Sequence, residues 1–253
     1  MAISTPTEPT GSAVNDTTGA MSYTTASFSV TTGGILIIFV WPTGGTNPTE
    51  DFSLSTTISG LSFTQRIAVT GWSTVGTPTR AGKMWTGTGG SGSGTITAGT
   101  WATNRTGCSI RVVEVASGYN TSTPVVQTPS RAADADPFSG STLTFSSASN
   151  TDNLFIGAVA KAGTQVLVGE GGAWTTIASE GGFGSPNQRT WSQYDLTSPD
   201  TTSTWTWAST NQDVFHMGIE IAVAAGAVSL APDRISRLAG LFDPDPWAVK
   251  PWR

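Results

Sequence analysis

The chain has 253 residues, of which only 11% are charged, and its formal net charge is −5. A typical globular domain has roughly 25% charged residues, so Thr, Ser, Asn and Gly must form most of this surface. The acidic balance and the lack of a Lys/Arg cluster argue against a nucleic-acid partner, which needs a basic face. Such a surface fits an adhesin, a lectin-like module or a virion protein better than it fits most cytosolic enzymes.

The chain begins with a polar stretch, residues 1–22, that contains two prolines. This composition predicts an extended arm with little structure of its own. Residues 1–6 lack the basic and apolar regions of a signal peptide, and no apolar run reaches the length that spans a bilayer. We therefore expect a protein made in the cytoplasm without membrane contact.

The first strong structural signal is the apolar run at residues 35–41, Ile-Leu-Ile-Ile-Phe-Val-Trp. Two glycines precede the run and Pro42 follows it. A short run of this kind, rich in β-branched and aromatic residues, predicts a strand that is buried on both faces.

The same order of patterns occurs twice, offset by about 105–120 residues. This spacing predicts a duplication with halves at about 23–118 and 142–227, each offering four or five strands. A small sheet leaves one apolar face bare, and two such halves packed face to face cover both. The matched segments are 28–37 and 145–156, 60–64 and 172–176, 82–86 and 188–192, 94–101 and 202–207, and 109–118 and 218–226.

The predicted fold class is therefore all-β: an antiparallel β-sandwich of jelly-roll type spanning residues 23–227. The connection at 119–140 is long, which suits a Greek-key or jelly-roll crossing. Residues 228–253 form a separate region, predicted to hold a short helix and an extended tail.

Residues with catalytic chemistry are few. His216 is the only histidine, and its neighbours Phe215 and Met217 predict a partly buried strand position and not a Ser/His/Asp site. Cys108 is the only cysteine, and we expect a small buried hydrophobic residue at the start of a strand. One histidine and one cysteine exclude an ordinary zinc site.

Acidic residues leave two alternatives to a structural role. Asp134 and Asp136 could contribute to a calcium site, although their spacing does not match the twelve-residue calcium loop, and the simpler interpretation is a solvated loop. Glu114 and Glu220 stand in apolar strands of the two halves, where a carboxylate pair could act on glycosides. We expect them instead to make structural pairs, with Glu114 bound to Arg111 or to a neighbouring strand. No metal or cofactor is predicted.

One motif matches a cofactor site formally. Residues 87–92 fit the dinucleotide-binding fingerprint, but a strand and not a helix follows them. The pattern therefore predicts a flexible hairpin turn.

Tryptophan is abundant, and most of these residues stand in predicted strands, where they are expected to form the core. Trp72 is the exception, because it falls in a predicted loop at 71–80. Together with Phe183, in the matching loop at 179–188, it is the candidate for glycan stacking.

The C-terminal region contains the one helical pattern in the chain, at residues 232–242, followed by three prolines in the last ten residues. Tryptophans on a Pro-rich tail are costly to leave in water, so we expect them to dock on a partner. The predicted anchoring residues are Ile235, Leu238, Leu241, Phe242, Trp247 and Trp252.

The order of elements resembles a β-sandwich family of structural proteins from tailed-bacteriophage virions. The resemblance covers residues 23–227 and rests on hydrophobic patterns at 34–40, 112–118, 153–159 and 219–226 and on the strands of Trp85 and Trp174. It implies a non-enzymatic capsid decoration or minor tail protein, bound to capsid or tail subunits and to its own copies, located in the virion and released by lysis. We expect the N-terminal arm and residues 228–253 to attach such a protein to neighbouring subunits. No catalytic residues belong to the pattern. The alternative is a carbohydrate-binding or adhesin module that recognises host surface glycans.

Overall fold

The computed structural model describes residues 2–44, 49–72, 80–133, 139–146, 150–163, 166–179, 183, 188–196, 200–208 and 213–225. Within these residues all regular structure is β, and every paired strand is antiparallel. In chain order the strands are β1 (Val14–Asp16), β2 (Ser22–Thr24), β3 (Phe28–Val30), β4 (Ile35–Thr43), β5 (Ser53–Thr56), β6 (Ser62–Trp72), β7 (Arg80–Thr88), β8 (Gly92–Gly94), β9 (Ile96–Gly99), β10 (Gly107–Val115), β11 (Val125–Gln127), β12 (Ser130–Ala133), β13 (Gly140–Thr144), β14 (Leu154–Ala162), β15 (Val168–Gly169), β16 (Thr175–Ser179), β17 (Gln188–Asp195), β18 (Thr202–Thr206) and β19 (Val214–Ile221).

Two large sheets share one strand order. The first runs β1-β10-β4-β7-β6, and the second runs β11-β19-β14-β17-β16, with β12 also pairing with β19. The first strands of each sheet, β1 in one and β11 and β12 in the other, border the equivalent strands β10 and β19. Two small sheets, β2-β9-β5 and β13-β18-β15, also correspond in order.

The central strand β4 explains how the layers stack. Every residue of β4 is buried, and its side chains alternate between two cores because successive residues of a strand point to opposite faces. Ile35, Ile37 and Phe39 contact one apolar cluster, and Leu36 and Ile38 contact another. The predicted strand buried on both faces is confirmed.

The first of these clusters joins the two large sheets. It combines side chains of β4 and β10 with side chains of β14 and β19. The packing is close at Gly82, where a Cβ atom would stand 2.3 Å from the Phe215 ring and 3.0 Å from Trp41. Ser109 and Thr190 add a buried hydroxyl contact of 3.2 Å between the sheets.

The opposite face of each large sheet is covered by a small sheet. In the first half Ile96 and Trp101 pack against the even-numbered residues of β4, and in the second half Trp205 and Leu167 pack against Val159. The order of layers is therefore small sheet, large sheet, large sheet, small sheet. The prediction of an antiparallel all-β sandwich is confirmed, but the expectation that each half forms a single sheet is wrong. Short Ser- and Thr-rich strands supply the additional layers.

The N-terminal segment also departs from its prediction. Thr7 and Glu114 exchange backbone hydrogen bonds of 3.0 and 2.8 Å, and β1 pairs with β10. Glu8 accepts two hydrogen bonds of 2.7 Å from the buried guanidinium of Arg111. The expectation of an arm with little structure is wrong, because these residues complete the edge of the first large sheet.

The C-terminal predictions cannot be compared with the fold in the same way. The helix expected at 232–242 and the six anchoring residues from Ile235 to Trp252 lie outside the described residues.

Candidate functional site

A polar cleft lies between the first large sheet and its small sheet. Its volume is about 350 Å³ and it is open to solvent. Strands β5, β6 and β7, the two residues before β5 and the residue after β9 contribute its walls. The lining residues are Asp51, Phe52, Ser53, Gln65, Lys83, Trp85 and Thr100.

Lys83 forms the floor of the cleft. Strand β7 places it opposite Val40 of the central strand, and its side chain is 3% exposed. The Nζ atom donates to Asp51 Oδ1 at 2.5 Å and to the carbonyl oxygen of Phe52 at 2.7 Å. It also stands 5.3 Å from the ring centre of Phe52 and 4.8 Å from that of Trp85, within cation–π range. These contacts fix a charged ammonium group in an otherwise apolar layer.

Asp51 balances the charge of Lys83 at the rim. Its side chain is 75% exposed, and the hydrogen bond from Lys83 lowers the pKa of the carboxyl group below its ordinary value. The backbone N–H of Phe52 donates to the same oxygen at 3.0 Å. The cleft therefore carries one positive and one negative group, each held in place, and no net charge from this pair.

The two aromatic residues predicted to contact glycans are not available at the surface. Trp72 is the last residue of β6 and not part of a loop, and it is fully buried in the core between the large sheets. Its ring faces the guanidinium of Arg80 at 5.6 Å. Phe183 is fully buried in the same core and exchanges two backbone hydrogen bonds of 2.9 Å with Gln188. The expectation of an exposed platform at these positions is wrong, because both side chains lie in the core between the two large sheets.

His216 belongs to a buried polar network. Ser203 Oγ lies 3.1 Å from Nε2, Ser141 Oγ lies 3.5 Å from Nδ1, and Gln193 donates to Ser203 Oγ at 3.0 Å. Burial, with a smaller contribution from the positive charge of Arg131, lowers the pKa of His216 to about 3. A neutral imidazole with no exposed surface serves the packing of the second half and is not placed to meet a substrate.

The two glutamates of the apolar strands have structural partners. Glu114 accepts a hydrogen bond of 2.5 Å from the backbone N–H of Thr31, while Glu220 accepts from Asn153 at 2.6 Å and from Gln127 at 2.5 Å. Thr31 lies just before the central strand β4, and Asn153 directly precedes the central strand β14. The predicted pair of Glu114 with Arg111 is wrong, since Arg111 binds Glu8 instead.

Three smaller predictions have clear outcomes. Cys108 is fully buried at the start of β10, as predicted, and burial raises the pKa of its thiol. Residues 89–91 form a turn between β7 and β8, with φ near +81° at Gly89. The prediction of a hairpin is wrong, because β8 pairs with β3 and not with β7. Asp134 and Asp136 lie outside the described residues.

Metal ligands and membrane-spanning helices were both sought in the part of the chain that the structure describes. There, no group of three or more His, Cys, Asp or Glu side chains is arranged to hold a metal ion. Among the same residues no helix has the length and apolar character needed to cross a membrane.

Sequence reasoning missed the cleft. Its one advance signal was Lys83 itself, a charged residue in the middle of the strand Gly-Lys-Met-Trp, in a chain with few charges. The partners of Lys83 come from loop residues more than thirty positions away, and no local pattern marks them.

The sequence matches no protein-family model and no curated protein.

Proposed function

We propose that this chain is a non-enzymatic structural protein of a tailed-phage virion, displayed on the particle as a capsid decoration or tail-associated subunit. Its partners would be capsid or tail subunits and neighbouring copies of itself. The proposal rests on the resemblance described above and on the distribution of polar groups in the fold.

The distribution of polar groups carries the proposal. Large cationic side chains are drawn into the interior, where Arg105 binds Glu50 at 2.8 Å and Arg80 approaches Asp213 at 3.5 Å. The small sheets instead carry paired hydroxyl groups, with the oxygens of Thr24 and Thr97 2.8 Å apart. Copies crowd together on a particle, and a surface with few charges lets them pack without electrostatic repulsion.

The finer form of the fold is part of the same proposal. We infer that the two halves arose by duplication of a jelly-roll-like unit. The matching strand orders support this, and so do the buried glutamates, since Glu114 stands opposite Leu36 and Glu220 opposite Phe155, each the second residue of its central strand. The tripeptide Ser-Thr-Pro at both 4–6 and 122–124 extends the correspondence to the segments that border β10 and β19.

Attachment to the particle is assigned to the C-terminal region. The N-terminal arm is occupied within its own sheet, where Glu8 binds Arg111, so it is a poor candidate for a partner contact. Residues 243–253, with Trp247 and Trp252, stay the proposed anchor. Tryptophans that fill partner pockets commonly dominate the binding energy of an interface.

Deletion of residues 243–253 tests the proposal. We expect the truncated chain to unfold at the same denaturant concentration as the full chain, because the sandwich keeps its core, but to be missing from purified particles. The measurement is immunogold labelling of particles from a lysate of the source, with an antibody to residues 23–227. Absence of label on particles that contain the full-length chain would overturn the virion assignment, and normal incorporation of the truncated chain would overturn the anchor.

The glycan-binding alternative loses the residues originally assigned to it. Trp72 and Phe183 are buried, so a glycan would have to be recognised elsewhere on the molecule.

A further inference from the structure

The cleft over Lys83 has a composition that indicates its ligand class, and this goes beyond the virion role. We propose that the cleft binds one unit of a neutral, hydroxyl-rich glycan through hydrogen bonds to Asp51, Gln65, Lys83 and Thr100. Three features of the cleft indicate this ligand: the polar groups left without partners, their charge, and the shape of the walls.

Several polar atoms at the cleft have no hydrogen-bond partner among the described residues. These are Asp51 Oδ2, the side-chain amide of Gln65 and the hydroxyl of Thr100, and Lys83 has one N–H beyond its two bonds. Ser53 adds a hydroxyl with only a 3.5 Å bond to Gly99. The set contains acceptors, donors and groups that are both. A ligand that satisfies it needs closely spaced donors and acceptors, which is the chemistry of sugar hydroxyl groups.

Charge separates the ligand classes further. An anionic ligand would be attracted by Lys83 but repelled by the carboxylate of Asp51. A cationic ligand would be attracted by Asp51 but repelled by Lys83. Because the two charges are joined at 2.5 Å, neither sign is in excess. A neutral ligand can bind to both groups without leaving a charge unpaired, so neutral sugars are favoured over uronic or sialic acids.

The walls determine how the ligand is held. Phe52 and Trp85 are each 4% exposed, and the ammonium group of Lys83 lies over both rings. Neither ring therefore has a free face on which a sugar could stack. Recognition therefore falls to the polar rim, whose central cation is fixed in advance, and a fixed group loses little conformational entropy on binding. A volume of about 350 Å³ lies at the small end of ligand sites, about 300–1,000 Å³, which suits a single pyranose unit.

The test uses the full chain on an array of neutral and acidic glycans, followed by calorimetric titration of the strongest neutral hit. Gln65→Ala should weaken that hit roughly tenfold, because a hydrogen bond of about 1.4 kcal/mol corresponds to a factor of ten. Thr64→Ala is the matched control, since Thr64 is exposed on the same strand but does not line the cleft. Its affinity should equal that of the unmodified chain.

A second variant tests the charge argument. Asp51→Asn keeps the shape of the rim but leaves Lys83 uncompensated, so acidic glycans should appear among the hits while neutral ones weaken. Three results would overturn the proposal: no glycan bound by the full chain, a preference of the full chain for acidic glycans, or a neutral hit whose affinity is unchanged in Gln65→Ala. None of these bears on whether particles carry the protein.

Discussion

The two halves share a strand order but differ in what lies between their layers. In the first half Lys83 stands opposite Val40, and in the second half Trp191 stands at the corresponding place opposite Val159. Trp191 packs against Trp205 with ring centres 5.7 Å apart, where the first half has its cleft. In the first half, a cation and its carboxylate border a space between the layers that stays open. In the second half, an aromatic pair fills the corresponding space.

A second exchange accompanies the first. Trp85 stands opposite Ile38, and Gln193 stands opposite Gly157 at the same place in the second sheet. Gln193 then joins Ser203 in the network around His216. Each half thus contains polar groups in its interlayer space: Lys83 lines a cleft that is open to solvent, whereas the network around His216 is buried. The same strand order therefore accommodates different residues between its layers. A solvent-accessible site forms only where the polar group lies near the edge of the interlayer space.

The largest effect is expected where the halves meet. Gly82→Ala places a Cβ atom 2.3 Å from the ring of Phe215, in the buried core between the two large sheets. Overpacking of this kind costs about 3 kcal/mol or more in free energy of unfolding, and urea titration would measure it. Because both large sheets share this core, unfolding should occur in a single transition.

A double-mutant cycle sharpens this prediction. Phe215→Leu removes the atoms that the new methyl group would contact, so the double variant should be more stable than the sum of the two single effects predicts. Strict additivity would show that Gly82 and Phe215 do not contact each other, and two separate transitions would show that the halves are independent.

An intermediate effect is expected at the equivalent glutamates. Glu220 is fully buried and accepts hydrogen bonds from Asn153 and Gln127, whereas Glu114 is 7% exposed and accepts one from Thr31. Glu220→Gln should cost about 3 kcal/mol of unfolding free energy, and Glu114→Gln about half of that, because hydrogen bonds to charged groups contribute about 1.5–3 kcal/mol. The two variants control each other in the same urea titration. Equal losses would contradict the assignment of different burial and partners.

The sequence predicted the parts of this fold that depend on local pattern. The strand at 35–41 and a turn within 87–92 follow from apolar periodicity and glycine, which act over a few residues, whereas the pairing of β8 with β3 does not. The pairing of the N-terminal arm was not predicted, because its partner β10 lies about a hundred residues away. The repeated Ser-Thr-Pro tripeptide was nevertheless a visible signal.

Two errors have a geometric cause. Arg111 and Glu114 are three residues apart in a strand, so their side chains point to opposite faces and cannot pair directly. Trp72 was placed in a loop because Gly71 precedes it, but β6 continues through both residues to pair with β7. The cleft could not be predicted, since its walls combine three strands and a loop that no local pattern brings together.

An effect smaller than those of Gly82→Ala and Glu220→Gln is expected from pH, and it tests the buried polar network of the second half. His216 has a pKa of about 3 in the folded chain against 6.5 when unfolded, so between these values the unfolded state binds a proton that the folded state does not. The stabilisation is complete above pH 6.5 and is lost as pH falls toward 3, by about 1.4 kcal/mol per pH unit. At pH 5 the loss relative to pH 7 should be about 2 kcal/mol for this residue.

His216→Gln cannot titrate, so the difference between its urea unfolding curves and those of the unmodified chain at pH 7 and 5 isolates the histidine from the carboxylates. If the two proteins lose the same free energy of unfolding between pH 7 and pH 5, His216 is protonated in the folded state. The interlayer space of the second half would then admit solvent, as that of the first half does at Lys83.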